Sequence, residues 1–192
     1  MEEKEIVITG FARTPMGSFQ GCLSTESATS LGSVAIKGAL CKADIKGENV
    51  DDVIMGCVLP AGLGQAPARQ SAIGAGIPNS AGATTINKMC GSGMRAAMIA
   101  NDQLIAGSSK VSIAGGIESM SNTPYVLPKV RTGLRMGHGD VKDHMFLDGL
   151  EDAYDTGKLM GCFAEIAAEK YGFTRAEQDK FAIDSLKKAQ AA

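Results

Sequence analysis

The stretch that most constrains this chain is Thr84-Thr85-Ile86-Asn87-Lys88-Met89-Cys90-Gly91-Ser92-Gly93-Met94-Arg95, where a β-rich segment turns sharply into a helix. From Ser92 the apolar positions Met94, Ala97, Met98, Leu104 and Ile105 fall on one helical face, and Gly107 supplies a stop. Lys110–Ala114 then reads as another strand, running into Gly115-Gly116-Ile117-Glu118. Upstream, Ile6-Val7-Ile8 starts a sheet, and a helix buries a stripe through Ala28, Leu31, Ala35, Ala39 and Leu40. Val53-Ile54-Met55 is a short strand, and a helix near Ala66–Ala75 ends at Gly76 ahead of Pro78. Strands alternating with helices predict an α/β domain with a largely parallel sheet.

After about Ser121 the texture changes. Asn122–Asp148 is loop-rich, with Pro124, Pro128 and scattered glycines; its His138 and His144 have no partner at metal-ligand spacing and read as surface residues. Glu151–Asp155 reads as a solvated acidic face, and Leu159–Tyr171 as a helix closed by Gly172. Thr174-Arg175-Ala176-Glu177 is a capping box, and the helix it opens carries Ala182, Leu186 and Ala189 on one stripe. No Gly, Asn or Pro closes that helix before Ala192.

The position of Cys90 has chemical consequences. A thiol at a helix N-terminus meets unpaired N–H groups and the positive end of the helix dipole, which favour thiolate. Gly91 and Gly93 keep side chains away from the sulfur, so that a carbonyl can approach the backbone. The arrangement follows the strand–nucleophile–helix elbow of serine hydrolases, with sulfur for oxygen. Cys22, Cys41, Cys57 and Cys162 read instead as small buried hydrophobes, and no C-x-x-C pair supports a zinc or redox motif. Gly91-x-Gly93-x-x-Ala96 also matches a dinucleotide fingerprint, with Glu118 downstream. Against it, Asn87 and Lys88 interrupt the apolar strand, the unit is not the first of the chain, and Glu118 lies beyond a Gly-Gly break. A formal net charge of −2 leaves no basic stripe for nucleic acid. No apolar run reaches membrane-spanning length, and acidic Met1–Glu5 does not fit a mitochondrial transit peptide. Unpatterned cysteines point to a reducing cytoplasm.

Asn87-Lys88-Met89-Cys90-Gly91-Ser92-Gly93 resembles the nucleophile motif of thiolases, especially the acetyl-CoA acetyltransferases. Ala12-Arg13-Thr14-Pro15-Met16-Gly17, Gly64-Gln65-Ala66-Pro67-Ala68-Arg69-Gln70 and Ala114-Gly115-Gly116-Ile117-Glu118-Ser119-Met120-Ser121 match that family in order, as do Asp148-Gly149-Leu150 and Met160-Gly161. The resemblance covers essentially the whole chain. It implies a thiolase-like N-terminal domain over residues 1–120, with helices on both faces of the sheet, and the start of a truncated loop domain over 121–192. Val126-Leu127-Pro128 through Arg135-Met136-Gly137 resembles the loop through which many thiolases form tetramers.

The resemblance further implies that Cys90 is acylated by an acyl-CoA and that a second, carbanionic acetyl-CoA attacks the acyl-enzyme; thiolysis is the reverse. The substrates would be acetyl-CoA and acetoacetyl-CoA, with no cofactor required and no metal. Leu150 and Met160 would line the pantetheine and acyl region. Many family members have His-Met-Gly where this chain has Leu159-Met160-Gly161, and Leu159 cannot hydrogen-bond as a histidine does. The family's histidine, second cysteine and asparagine come from C-terminal motifs with no counterpart here. The chain thus reads as about half of a family member, without the last strand of the N-terminal domain, and as having little or no turnover alone. Its implied partners are copies of itself in a homo-oligomer, or a complementary C-terminal thiolase chain. The alternative is a catalytically inert remnant that only associates with other thiolase subunits.

Overall fold

The computed structural model describes residues 5–192, so that of the acidic N-terminal run only Glu5 lies within the described residues. The chain forms two compact units that divide after Gly149.

In the first unit, three strands, β1 (Asp52–Gly56), β2 (Gly82–Ile86) and β3 (Ser112–Gly116), make a parallel sheet in the order β2-β1-β3. Helix α1 (Ala28–Ala43) precedes β1, α2 (Pro67–Gly74) connects β1 to β2, and α3 (Ser92–Ala106) connects β2 to β3. The central strand β1 is buried on both faces, as a parallel sheet covered by helices requires. Alternation along it decides which helix each residue meets. Val53 and Met55, followed by Cys57, join Ile36 and Leu40 of α1 and Ala68 and Ala72 of α2 in one core, while Ile54 packs with Ala96 and Ala100 of α3 in a second. The sequence-based expectation of an α/β fold with helices on both faces is met.

Three readings are corrected. The face of α3 that packs on the sheet is Ser92, Ala96 and Ala100, not the methionine stripe; Met94, Met98 and Ile105 are exposed. Small residues win because they let the helix backbone approach β1 closely. Ile6-Val7-Ile8 is not part of the described sheet. Residues 6–12 lie against α1, where a β-carbon on Gly10 would stand 2.6 Å from the Ala39 carbonyl oxygen. Among the described residues they share no ladder with β3, and a cleft of about 540 Å³ is lined by both segments. Finally, Cys22, Cys41 and Cys162 are exposed, so that Cys57 alone of the four is a buried hydrophobe.

Asp51 ties the start of β1 to the start of β3. Its carboxylate accepts the Lys110 and Val111 N–H groups at 2.7 and 3.0 Å. These bonds, Lys110 first, hold its pKa below the ordinary aspartate range. Because the folded pKa is the lower one, the stabilisation is complete above the unfolded value of about 3.9 and is lost as pH falls through the folded value. Urea unfolding at pH 5 and pH 3 should therefore show a smaller acid loss of stability in Asp51→Asn than in the parent chain. Equal losses would show that Asp51 contributes nothing to the acid limb.

The first unit continues into a two-residue antiparallel pair, β4 (Tyr125–Val126) with β5 (Lys142–Asp143), joined by a largely exposed loop. The second unit holds α4 (Met160–Tyr171), closed by Gly172 at φ 66°, and α5 (Arg175–Ala191). The Thr174–Glu177 capping box is present in full. The stripe of Ala182, Leu186 and Ala189 on α5 is not buried, and ion pairs Arg175–Asp179 and Lys180–Asp184 line the helix at i,i+4 spacing. Among the described residues no helix is long and apolar enough to cross a membrane.

Candidate functional site

The β2–α3 turn is built by its own side chains. Met89 takes a left-handed φ of 49°, a conformation that costs a non-glycine residue on the order of 1 kcal/mol or more. Ser92, almost fully buried, holds it there: its hydroxyl accepts the Lys88 N–H at 2.7 Å and donates to the Met89 carbonyl at 2.6 Å. The Gly91 and Ser92 N–H groups close back on the Lys88 and Met89 carbonyls. Cys90 is therefore lifted out on a tight, hydrogen-bonded turn and is exposed, immediately before the Gly91 that opens α3.

The turn lies at the C-terminal ends of the strands, where ligands of parallel α/β sheets are bound. The tightest contact there belongs to a glycine that sequence reading did not single out. A β-carbon on Gly56, the last residue of β1, would stand 2.4 Å from the Ser92 β-carbon. At Gly93 a β-carbon would meet only ordinary contacts, 3.7 Å from the Gly115 carbonyl carbon, so Gly93 faces the end of β3 without being forced to be glycine by space.

Glu118, which the sequence offers as the acid downstream of a dinucleotide fingerprint and as part of the family-like Ala114–Ser121 stretch, caps the loop after β1. Its carboxylate accepts the Val58 N–H at 2.9 Å and the Leu59 N–H at 3.0 Å, and the Cys57 thiol lies 3.7 Å from Oε1. Burial first, and then the neighbouring Glu118 charge, push the Cys57 thiol up to about 12, so it remains protonated at neutral pH. Asn87, which interrupts the apolar run of β2, accepts the Met89 N–H at 2.9 Å and donates to the Val58 carbonyl at 3.4 Å. Only the Asn87–Met89 bond is local; the Val58, Leu59 and Cys57 partners lie 29 to 61 positions away, and nothing in the sequence nearby signals them.

Leu150 and Met160 occupy the second unit. The antiparallel bridge Glu151–Leu159, with the Asp152 N–H donating to the Lys158 carbonyl at 2.9 Å, sets Leu150 opposite Met160. Met160 is exposed at the first position of α4 and Leu150 half-buried, so neither is a core residue within its unit. The two residues that the resemblance assigns to one binding region are thus neighbours.

The reading of His144 as a surface residue is corrected: it is 6% exposed. Its backbone N–H donates to the Pro124 carbonyl at 3.2 Å, and its Nδ1 lies 2.5 Å from the Asp148 carboxylate. Pairing with a carboxylate one helical turn on is what makes burial of the ring tolerable. His138 is exposed, as expected. Among the described residues no cluster of His, Cys, Asp and Glu is arranged to hold a metal ion.

Residues 6–192 match the family model described as thiolase, N-terminal domain. Over 192 residues the chain is 50% identical to a protein of Schizosaccharomyces pombe named acetyl-CoA acetyltransferase, covering all of this chain and 48% of that one. It is 52% identical over 190 residues to acetyl-CoA acetyltransferase 2 of Arabidopsis thaliana, covering 98% of this chain and 47% of the relative. A Gibberella zeae relative, named as a cytosolic acetyl-CoA acetyltransferase, is 49% identical over 187 residues, covering 97% and 47%. The chain therefore spans about half the length of the curated relatives it matches.

Proposed function

Because the chain belongs to the thiolase family, matching its N-terminal domain over residues 6–192, we propose that it is the nucleophile-bearing half of an acetyl-CoA C-acetyltransferase. The observation that carries this reading is the exposed Cys90 on its Ser92-clamped turn at the C-terminal edge of the sheet. In the condensing direction the Cys90 thiolate attacks the carbonyl carbon of acetyl-CoA. The C–S bond to CoA breaks, the departing thiolate takes up a proton as CoA-SH, and an acetyl thioester remains on Cys90. A second acetyl-CoA, deprotonated at its methyl group, attacks that thioester, giving acetoacetyl-CoA and returning the Cys90 thiolate. Leu150 and Met160 line the acyl and pantetheine region of the bound thioester, and Leu159 meets it without the hydrogen bond that many relatives make there.

A complementary C-terminal half supplies the general base and the oxyanion-stabilising groups, each class worth on the order of a hundredfold or more. The reading is supported by relatives of twice this length, by the edge of β3 that is unpaired among the described residues, and by the exposed Met94 and Met98 on α3. Large exposed apolar faces mark surfaces that other polypeptide covers. The loop over residues 126–137 contributes to a homo-oligomer, and the protein works in the cytoplasm, in keeping with the name of its Gibberella zeae relative.

Brief exposure to acetoacetyl-CoA, followed by peptide mapping, tests this assignment. An acetyl group is expected on Cys90 and on none of Cys22, Cys41, Cys57 and Cys162, with no sustained turnover by the chain alone. Failure to label Cys90 even with a C-terminal thiolase half present would sink the reading and favour an inert, merely associating subunit.

A further inference from the structure

We propose that Glu118 is a positioning residue for Cys90, acting through the Val58–Leu59 peptide and the Asn87 side chain to hold the turn that presents the thiol. The inference rests on the reading of Cys90 as nucleophile and adds a residue to its machinery.

The bonds run in one direction. Met89 N–H donates to Asn87 Oδ1, and the same amide donates through Nδ2 to the Val58 carbonyl oxygen. That carbonyl shares its peptide plane with the Leu59 N–H, which donates to Glu118 Oε1. Two amides are therefore threaded head to tail between the residue preceding the nucleophile and a carboxylate. In such a chain each bond polarises the next, and an ionised acceptor at the end strengthens the series. The second carboxylate oxygen takes the Val58 N–H, so the loop after β1 is held at two adjacent peptides.

The site calls for a carboxylate specifically. Three donors, the Val58 and Leu59 N–H groups and the Cys57 thiol, converge on two oxygens. An ionised carboxylate accepts at both oxygens, whereas a glutamine would turn an NH₂ toward one of the N–H groups. At the other end of the chain, Met89 is the residue in the left-handed region, and its N–H is satisfied by Asn87. Loss of the terminal acceptor slackens the 58–59 loop, then Asn87, then the Met89 conformation that sets the direction of Cys90.

The experiment is competitive alkylation of the chain with iodoacetamide at fixed pH, scored by peptide mapping as the labelling rate of Cys90 relative to exposed Cys41 in the same molecule. Buried Cys57 reports folding. Glu118→Gln is expected to lower the Cys90-to-Cys41 ratio by about tenfold or more, the scale of one hydrogen bond to a charged group, with Cys57 still protected. Asn87→Ala, at an exposed position, is expected to lower the ratio similarly. Glu118→Gln in the Asn87→Ala background is expected to add nothing, since both act through one path. An unchanged ratio in either single variant overturns the proposal. So do multiplying effects in the double variant; should Glu118→Gln also expose Cys57, whose thiol it contacts, the ratio in Asn87→Ala with Cys57 still protected decides. Iodoacetamide needs no CoA site, so a failed relay and a failed acetyl transfer are separate results.

Discussion

Cys90→Ala is expected to lower acetoacetyl-CoA formation, measured with the chain reconstituted with a C-terminal thiolase half, by about 10⁴-fold or more, the scale on which covalent catalysis fails when its nucleophile is removed. Nothing else on the turn can replace the sulfur. Ser92 Oγ is already committed as acceptor to Lys88 and donor to Met89, and it is almost fully buried. Cys57 is buried and held protonated beside Glu118. Cys90→Ser is expected to fall nearly as far, because a hydroxyl is a far weaker nucleophile than a thiolate at neutral pH. Both variants should unfold at the parent's urea midpoint, since the Cys90 side chain is exposed. Retention of more than about a tenth of the activity in Cys90→Ala would show that acyl transfer uses another residue, since loss of a nucleophile costs orders of magnitude.

The second large effect is at Gly56. Its β-carbon would stand 2.4 Å from Ser92 Cβ and 2.7 Å from the Ser92 carbonyl carbon, one of them backbone, so no side-chain rotation relieves the clash. Gly56 is also fixed from both sides, because β1 pairs with β2 and β3 through this residue and the Ile117 N–H donates to its carbonyl at 2.8 Å. Gly56→Ala must push α3 away from the sheet or bend β1, and overpacking of this kind costs about 1–3 kcal/mol or more. The displaced group is the start of α3, so the Ser92 clamp loosens with it. The expected result is a lower urea midpoint together with slower iodoacetamide labelling of Cys90. As a contrast, Gly161 in α4 has open space around a β-carbon, and Gly161→Ala should gain on the order of 0.5–1 kcal/mol from helix propensity. A parental midpoint for Gly56→Ala would mean that α3 has slack against the sheet.

Much of the scaffold was legible in the chain because its signals are local. The β1 run Val53-Ile54-Met55, the arrest of α2 near Gly76 and the Thr174–Glu177 box all lie within a few residues of the bonds they form; α1 forms as expected, but its buried line is Ala28, Gly32, Ile36 and Leu40 rather than one through Leu31, Ala35 and Ala39. Cys90 was legible for the same reason: a strand, a cysteine, two glycines and a helix are consecutive. The failures share a different cause. The α3 reading picked the largest apolar side chains, yet the sheet selected Ala96 and Ala100, because a helix crossing a strand at close range needs small residues at the contact. Ile6-Val7-Ile8 has strand composition, but a ladder also needs a neighbour, and the described residues provide none beside it. His144 looked solvated because the Pro124 carbonyl that accepts its N–H comes beside it only once β4 and β5 pair.

By itself the sequence determined the α/β architecture, the largely parallel sheet and the sharp strand-to-helix turn that carries Cys90, since periodicity and turn chemistry operate over one helical turn or one strand. The tertiary structure alone decided what braces the Cys90 turn from outside. Glu118 meets Val58 and Leu59 across 60 and 59 positions of chain, and Asn87 meets Val58 across 29. Such bonds exist only after parallel pairing brings the ends of β1, β2 and β3 to one edge of the sheet, and a one-dimensional pattern carries no record of which ends will meet.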